Sequence, residues 1–234
     1  MSQPRVLSGV ALRRSGLARP RRLLSLIALT KAPMMPLMLA ALLAGLLAGC
    51  SVIPKSEPVR LFTLPAPTLP ASSEAARELT LRVDTPGAGA PLDGRRLLIM
   101  PTPGEFQAYG GARWRDDAPR LLRDHLIEAL RRDGRLATVI DETSRAQNDA
   151  ALTGHLGAFH ARYREGSAEV VVRLDVQLLD DRSREVRASR RFEAVVASDG
   201  DGLEAVVAAF GRAADRLAVE VVDWTLAQLP RDPA

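Results

Sequence analysis

The sequence has one cysteine, Cys50, in 234 residues. A lone cysteine excludes an intramolecular disulfide and any cysteine-rich zinc site. Aromatics are scarce at 4%, which argues against stacking platforms for single-stranded nucleic acid. There are three histidines, and residues 1–49 contain no acid at all. That last absence decides how the charge is read. A formal net charge of +4 invites a nucleic-acid or acidic-membrane partner. Seven basic residues (Arg5, Arg13, Arg14, Arg19, Arg21, Arg22, Lys31) sit in 1–49, so the remaining 185 residues hold 25 basic and 28 acidic groups. The basic excess belongs to an N-terminal extension, and the net −3 of the body gives no support for a nucleic-acid partner.

What is present begins with that extension. Residues 37–47 are the one long apolar run, with the basic segment upstream. The run ends in Leu47-Ala48-Gly49-Cys50. This resembles a bacterial lipobox, in which the bond before the cysteine is cleaved and the thiol receives a diacylglycerol. Residues 1–49 then form a lipoprotein signal peptide, and Cys50 is the lipidation site, acylated with palmitate-type chains. The alternative is a retained transmembrane helix over 32–49, which is 18 residues and just long enough to span. Pro33 and Pro36 shorten it. A start codon downstream of Met1 also remains open. Ser51, where inner-membrane retention is associated with Asp, implies the outer membrane, with the body in the periplasm. One fatty chain holds a protein only marginally, at about 10⁴ M⁻¹, whereas several anchor it stably.

Residues 50–75 read as a lipidated tether with Pro54, Pro58, Pro65, Pro67 and Pro70. Extended at roughly 3.1 Å per residue, the stretch from Cys50 to Arg60 lifts the body by about 30 Å. Within it, Leu61-Phe62-Thr63-Leu64 is a short strand candidate. Residues 76–230 read as one domain. Leu79, Leu81 and Val83 alternate with polar residues as in a half-buried strand. Residues 85–91 break it; their Gly-x-Gly lacks the third glycine and the helix of a phosphate loop. Leu97-Leu98-Ile99-Met100 is a buried strand ended by Pro101, and 106–114 a hairpin arm around Gly110-Gly111.

A helix is expected over 117–133, capped by Asp116 or Asp117, with Pro119 in its first turn and Gly134 after its end. Its buried stripe is Leu122, Leu126, Ala129 and Leu130; Arg123, Asp124, Glu128, Arg131 and Arg132 face out. Strands follow at 137–140, 151–163, 169–179 and 185–196, the last three as an antiparallel meander. Arg190 interrupts the apolar face of the last and lies at a rim or pairs with an acid. A second helix spans 202–228, with Asp201 and Glu204 at capping-box spacing. Its stripe is Leu203, Val206, Val207, Phe210, Ala214, Leu217, Val221 and Trp224. The fold class is α+β: a single domain, a mixed and mostly antiparallel sheet, and two main helices on one face.

No catalytic constellation emerges. His155 and His160 are an odd number of residues apart on one strand, so without a bulge they point to opposite faces. His125 lies near the apolar edge of the first helix. A structural role is expected for all three, with no metal site and no bound cofactor. Asp116/Asp117 and Asp180/Asp181 sit at a cap and a turn. Trp114 and Trp224 suit either interface anchors or core, and their neighbours favour core.

Taken in order, these pieces resemble the ABC-type transport auxiliary lipoprotein family, the group that includes paraquat-inducible protein C. Phe62-Thr63-Leu64-Pro65 is similar to its aromatic-Thr-Leu start, and Leu81-Arg82-Val83 with Leu92-Asp93 to its first strand and loop. Residues 106–114, Pro119-Leu121-Leu122 and the following helix match its central block. The Phe159 strand, the 170–179 strand and the 205–217 helix complete it. Met100-Pro101-Thr102-Pro103 departs from the family's polar strand-turn. The resemblance implies an outer-membrane lipoprotein facing the periplasm, a subunit of an ABC/MCE (mammalian-cell-entry) system that moves phospholipid between membranes. Its partners would be an MCE-domain protein, ABC transporter subunits and outer-membrane lipid, with a homo-oligomer possible and the exposed sheet face as self-contact. It would dock the MCE assembly and would not be an enzyme. The alternatives are an independent periplasmic lipoprotein carrying a small apolar ligand between sheet and helices, and an envelope enzyme.

Overall fold

The computed structural model describes residues 38–39, 58–164 and 166–230. Cys50 and almost all of the leader lie outside these residues. The chain divides between Ser56 and Glu57 into two units, and the second carries the fold. Its elements are β1 (Arg60–Phe62), β2 (Arg77–Val83), β3 (Gly87–Ala88), β4 (Arg96–Thr102) and β5 (Glu105–Trp114), then helix α1 (Ala118–Asp133). Strands β6 (Leu136–Asp141), β7 (Ala150–Arg164), β8 (Ser167–Asp180) and β9 (Val186–Ala197) follow, and helix α2 (Leu203–Gln228) closes the chain. Among the described residues no helix is long and apolar enough to cross a membrane. The architecture is the expected α+β single domain.

Strand β7 organises the nine-stranded sheet. One of its edges pairs with β8 along its whole length, antiparallel, from Ala150 opposite Asp180 to Arg164 opposite Ser167. The other edge is shared end to end by three parallel partners. Leu81 lies opposite Ala150, Gly87 opposite His155 and Ile99 opposite Ala161. Two branches leave from there, β2–β6 on one side and β4–β5–β1 on the other. The parallel ladders are short and the antiparallel β7–β8 and β8–β9 ladders long, so the meander is as read from sequence.

Alternation explains the core. Val170, Val172, Leu174, Val176 and Leu178 of β8 are buried on the face that α2 covers with Val206, Phe210, Leu217 and Val221. Trp114 (0% exposed), Phe159 and Phe210 meet at its centre, with ring centroids 5.6, 5.1 and 4.8 Å apart. Each such pair adds about 0.5–1.5 kcal/mol beyond its area burial. Trp224 is only partly buried and stands edge-on to Phe192 at 5.6 Å. Arg190 lies over Phe192 and reaches toward Glu220, 3.9 Å away, so it is both at a rim and beside an acid.

Several local expectations are corrected. Strand β4 runs through Pro101 to Thr102, because β7 pairs it only at Ile99 and Met100. The hairpin turn lies at Pro103-Gly104, with Gly104 at φ 85°. Gly110 and Gly111 instead sit in β5, in a register break between Ala108 and Arg113. Gly202, not Asp201, is the N-cap of α2, and no side chain caps it; Glu204 pairs with Arg60 instead. The C-terminus of α2 is held by Arg77, whose Nη1 donates to the carbonyls of Leu226 (2.7 Å) and Leu229 (3.3 Å). A cation there complements the helix dipole. Helix α1 ends as expected, at Gly134 with φ 80°.

Arg123 does not face out. It is 6% exposed. Loops at 85 and 142 close over it: Nη1 donates to Thr85 Oγ1 (3.1 Å) and Glu142 Oε1 (2.6 Å), and Nη2 to Asp124 (2.7 Å). Burial alone would raise the Glu142 carboxyl, but Thr85 and Arg123 more than offset it and hold it below its usual value.

Gly154 marks the tightest approach in the sheet. A Cβ there would lie 2.2 Å from the Asp175 carbonyl oxygen of β8. Gly154→Ala therefore has to spread the β7–β8 ladder, with an expected loss of about 1–3 kcal/mol in denaturant unfolding. Gly110, with nothing within 4 Å, is the control, and Gly110→Ala should be near neutral.

Candidate functional site

The described residues bring no catalytic set together. Because Gly157 bulges from the ladder between Leu156 and Ala158, the parity of β7 shifts. His155 lies opposite Asp175 and His160 opposite Val171, so the two histidines share the outer sheet face, contrary to the expectation from spacing. A glycine inside a strand pattern is the signal that could have flagged this. They are still about 13 Å apart by strand rise, too far to chelate one ion. Among the described residues no group of three or more His, Cys, Asp or Glu side chains could hold a metal. Asp116 and Asp180 do local work: Asp116 Oδ1 accepts from the Asp117 N–H (2.8 Å), and Asp180 Oδ1 from those of Arg182 and Ser183 (2.9 Å each).

Residues 63–70, read from sequence as tether, are laid onto the body. This proline strap crosses the α1–α2 pair just after β1, with Leu64, Pro67 and Leu69 buried. Proline suits the position because it brings no N–H that would need a partner. Pro65 presses on Gly211 of α2, where a Cβ would stand 2.6 Å from its Cγ. Asp215, one turn on, is the latch. Its Oδ2 accepts from Thr68 Oγ1 (2.8 Å) and its Oδ1 is 3.0 Å from Nε2 of His125. A carboxylate only accepts, so Nε2 carries the hydrogen. His125 is 4% exposed. Burial pushes its pKa down against the raising effects of Asp215 and the Pro65 carbonyl. Sequence periodicity missed the latch, although Gly211 and Asp215 inside an apolar helix stripe were its visible signs.

A crevice of about 200 Å³ opens between the strap and α1, lined by Thr63, Pro65, Pro67, Leu121, His125 and Glu128. It is smaller than the roughly 300–1,000 Å³ of small-molecule sites. Between sheet and helices, the space bounded by Val83, Leu126, Leu152 and Leu174 holds only about 10 Å³, room for a single water. On the outer face Phe106 stands edge-on to His160 (5.3 Å). The His160 Nδ1 has no partner in the described residues. Burial, then Arg162 and Arg173, lower its pKa.

Two outcomes follow. Helix propensity alone makes Gly211→Ala stabilising by about 1 kcal/mol. The Pro65 contact reverses the sign: proteolysis within 63–70 should accelerate and the unfolding midpoint fall. A raised midpoint would refute the tight seat of the strap. The histidines set an acid dependence. Both are held below the ordinary 6.5, so below about pH 6.5 the unfolded chain binds protons that the fold resists. Stability is fully present above pH 6.5 and declines as pH falls toward 5, where carboxylates are still ionised in both states. Unfolding midpoints from pH 7 to 5 should drop in the natural chain, and the slope should flatten in a His125→Gln/His160→Gln variant.

A curated relative, an uncharacterised protein of Bradyrhizobium diazoefficiens, is 27% identical over 187 residues. The match covers 79% of this chain, which spans about half (50%) of that relative's length. Protein XCC0632 from Xanthomonas campestris, a crystal structure, superposes with a TM-score of 0.67 at 28% identity, over 72% of this chain and 96% of that one. A second crystal structure, of an uncharacterised protein, shares the fold at a TM-score of 0.57 and 16% identity, over 72% of this chain and 99% of its own. The family described as ABC-type transport auxiliary lipoprotein component matches residues 62–222, from the end of β1 into the last turns of α2. On that match the chain belongs to the ABC-type transport auxiliary lipoprotein component family.

Proposed function

We propose that this protein is a non-catalytic docking subunit of an ABC transport system that moves phospholipid between membranes. It is anchored in the outer membrane through Cys50, faces the periplasm and receives the MCE assembly there. Family membership supports the transport context. The observation that carries the choice of docking over ligand carriage is the filled interior. Trp114, Phe159 and Phe210 occupy the centre, and the neighbouring sheet–helix space holds about 10 Å³. A lipid tail has no room there. The absence of a catalytic constellation among the described residues agrees with a binding role.

The test is retrieval of an affinity-tagged full chain from cells after crosslinking, followed by mass spectrometry of proteins and lipids. Docking predicts MCE or ABC components in the eluate and no stoichiometric lipid on the isolated protein. Recovery of a lipid-bound monomer with neither component would favour the ligand carrier. Cys50→Ser should release the protein from washed membranes and deplete the partner from the eluate.

A further inference from the structure

The β8–β9 hairpin concentrates positive charge. Residues 182–191 hold five arginines, Arg182, Arg184, Arg187, Arg190 and Arg191, with Glu185 as the one acid. All five are exposed, in a body whose balance is 25 basic to 28 acidic groups. The acids beside the turn are turned inward. Asp180 accepts the backbone N–H groups of Arg182 and Ser183 and pairs with Arg187, and Asp181 faces Arg82 at 3.7 Å. Arg191 and Arg190 reach Asp175 and Glu220. Arg182 and Arg184 make no ion pair among the described residues. A polar notch of about 450 Å³, lined by Gln147, Asn148, Asp149, Asp181 and Arg182, opens beside them.

The backbone adds a second, independent sign. Arg184 has φ 60° and is the one non-glycine with positive φ among the described residues. Glycine or asparagine would hold that turn without strain. Strain kept at an exposed residue points to a use for its side chain.

Position supplies the third. Strand β1 runs parallel to β5, and β5 antiparallel to β4, which is parallel to β7. Strand β1 therefore starts on the side of the sheet toward which β7 runs. The arginine turn lies at the opposite end, where Asp180 meets Ala150. The separation along β7 is about 30 Å by strand rise.

We propose that the tip of the β8–β9 hairpin is the surface that docks an acidic protein partner, its arginines forking onto Asp and Glu carboxylates. Guanidinium groups suit that role because they bind carboxylates bidentately and lose less hydration than an ammonium. Val186, 51% exposed at the centre of the cluster, supplies a small apolar contact. A membrane-inserting element carries Trp, Phe or Leu at such a place, and residues 181–191 at the tip carry none. The assignment rests on the docking function proposed above and names its surface.

The test places a photo-crosslinking phenylalanine analogue at Val186 in the full lipidated chain, in cells, and identifies adducts by mass spectrometry. The expected adduct is an acidic peptide of an ABC or MCE subunit. Arg182→Glu/Arg184→Glu should lower its yield about tenfold or more while the unfolding midpoint stays in place. Arg184→Gly should raise the midpoint, by relieving φ, and still lower the yield. Adducts with phospholipid or with a second copy of the chain, or yields unmoved by charge reversal, overturn the inference. If tagged protein retrieves the partner yet position 186 gives no adduct, the surface is wrong and the docking function stands. If tagged protein retrieves no partner, both fall.

Discussion

The two edges of β7 impose one requirement: every backbone donor and acceptor along 15 residues has to be met inside a sheet. A single long partner, β8, meets one edge. The other edge is met piecemeal by β2, β3 and β4, none long enough to do it alone. That division makes the sheet fork, and a forked sheet needs a brace. The brace is aromatic. Trp114 from β5, Phe159 from β7 and Phe210 from α2 join one branch, the central strand and the covering helix in a single cluster. A chain with few aromatics has spent three of them at one point.

How much of this was legible follows from what each signal depends on. The 3.6-residue stripe of α2 and the alternation of β8 depend on one element facing one core, and both were read correctly. Arg123 was misread because its burial comes from loops at 85 and 142, far away in sequence, which close over the polar side of α1. The facing of His155 and His160 was misread because one bulge at Gly157 reverses parity for everything after it. The strap reads as tether in the sequence because prolines signal extended chain equally well in solvent and against a helix pair. Pro65 on Gly211 is a contact across the chain, and no local pattern encodes it. The latch at Asp215 was not legible, since its partners Thr68 and His125 come from distant parts of the chain.

The filled interior and the surface features agree on a division of labour. The core is occupied by its own side chains, so the proposed docking has to use the outside, on strap, sheet face or hairpin. Acids near the β8–β9 turn serve the turn. Among the described residues Arg182 and Arg184 near it are left without an ion pair at the surface. Strength inside and charge outside are separated along the same two strands, since alternate residues of β8 and β9 face opposite ways.

The direction of β1 carries a mechanical consequence. A protein held at Arg60 and gripped at the far end of β7 is loaded along its strands. Parallel pairing of Arg60, Leu61 and Phe62 with Ala112, Arg113 and Trp114 sets that ladder in shear, where hydrogen bonds share a pull and do not open one at a time. Behind it, the strap adds the ring of Pro65 wedged against α2 and the Thr68–Asp215 bond. On the anchoring and docking proposed above, the first residues of the fold form a strain relief between the two ends, built like the clamp that keeps tension on a cable from reaching its joint.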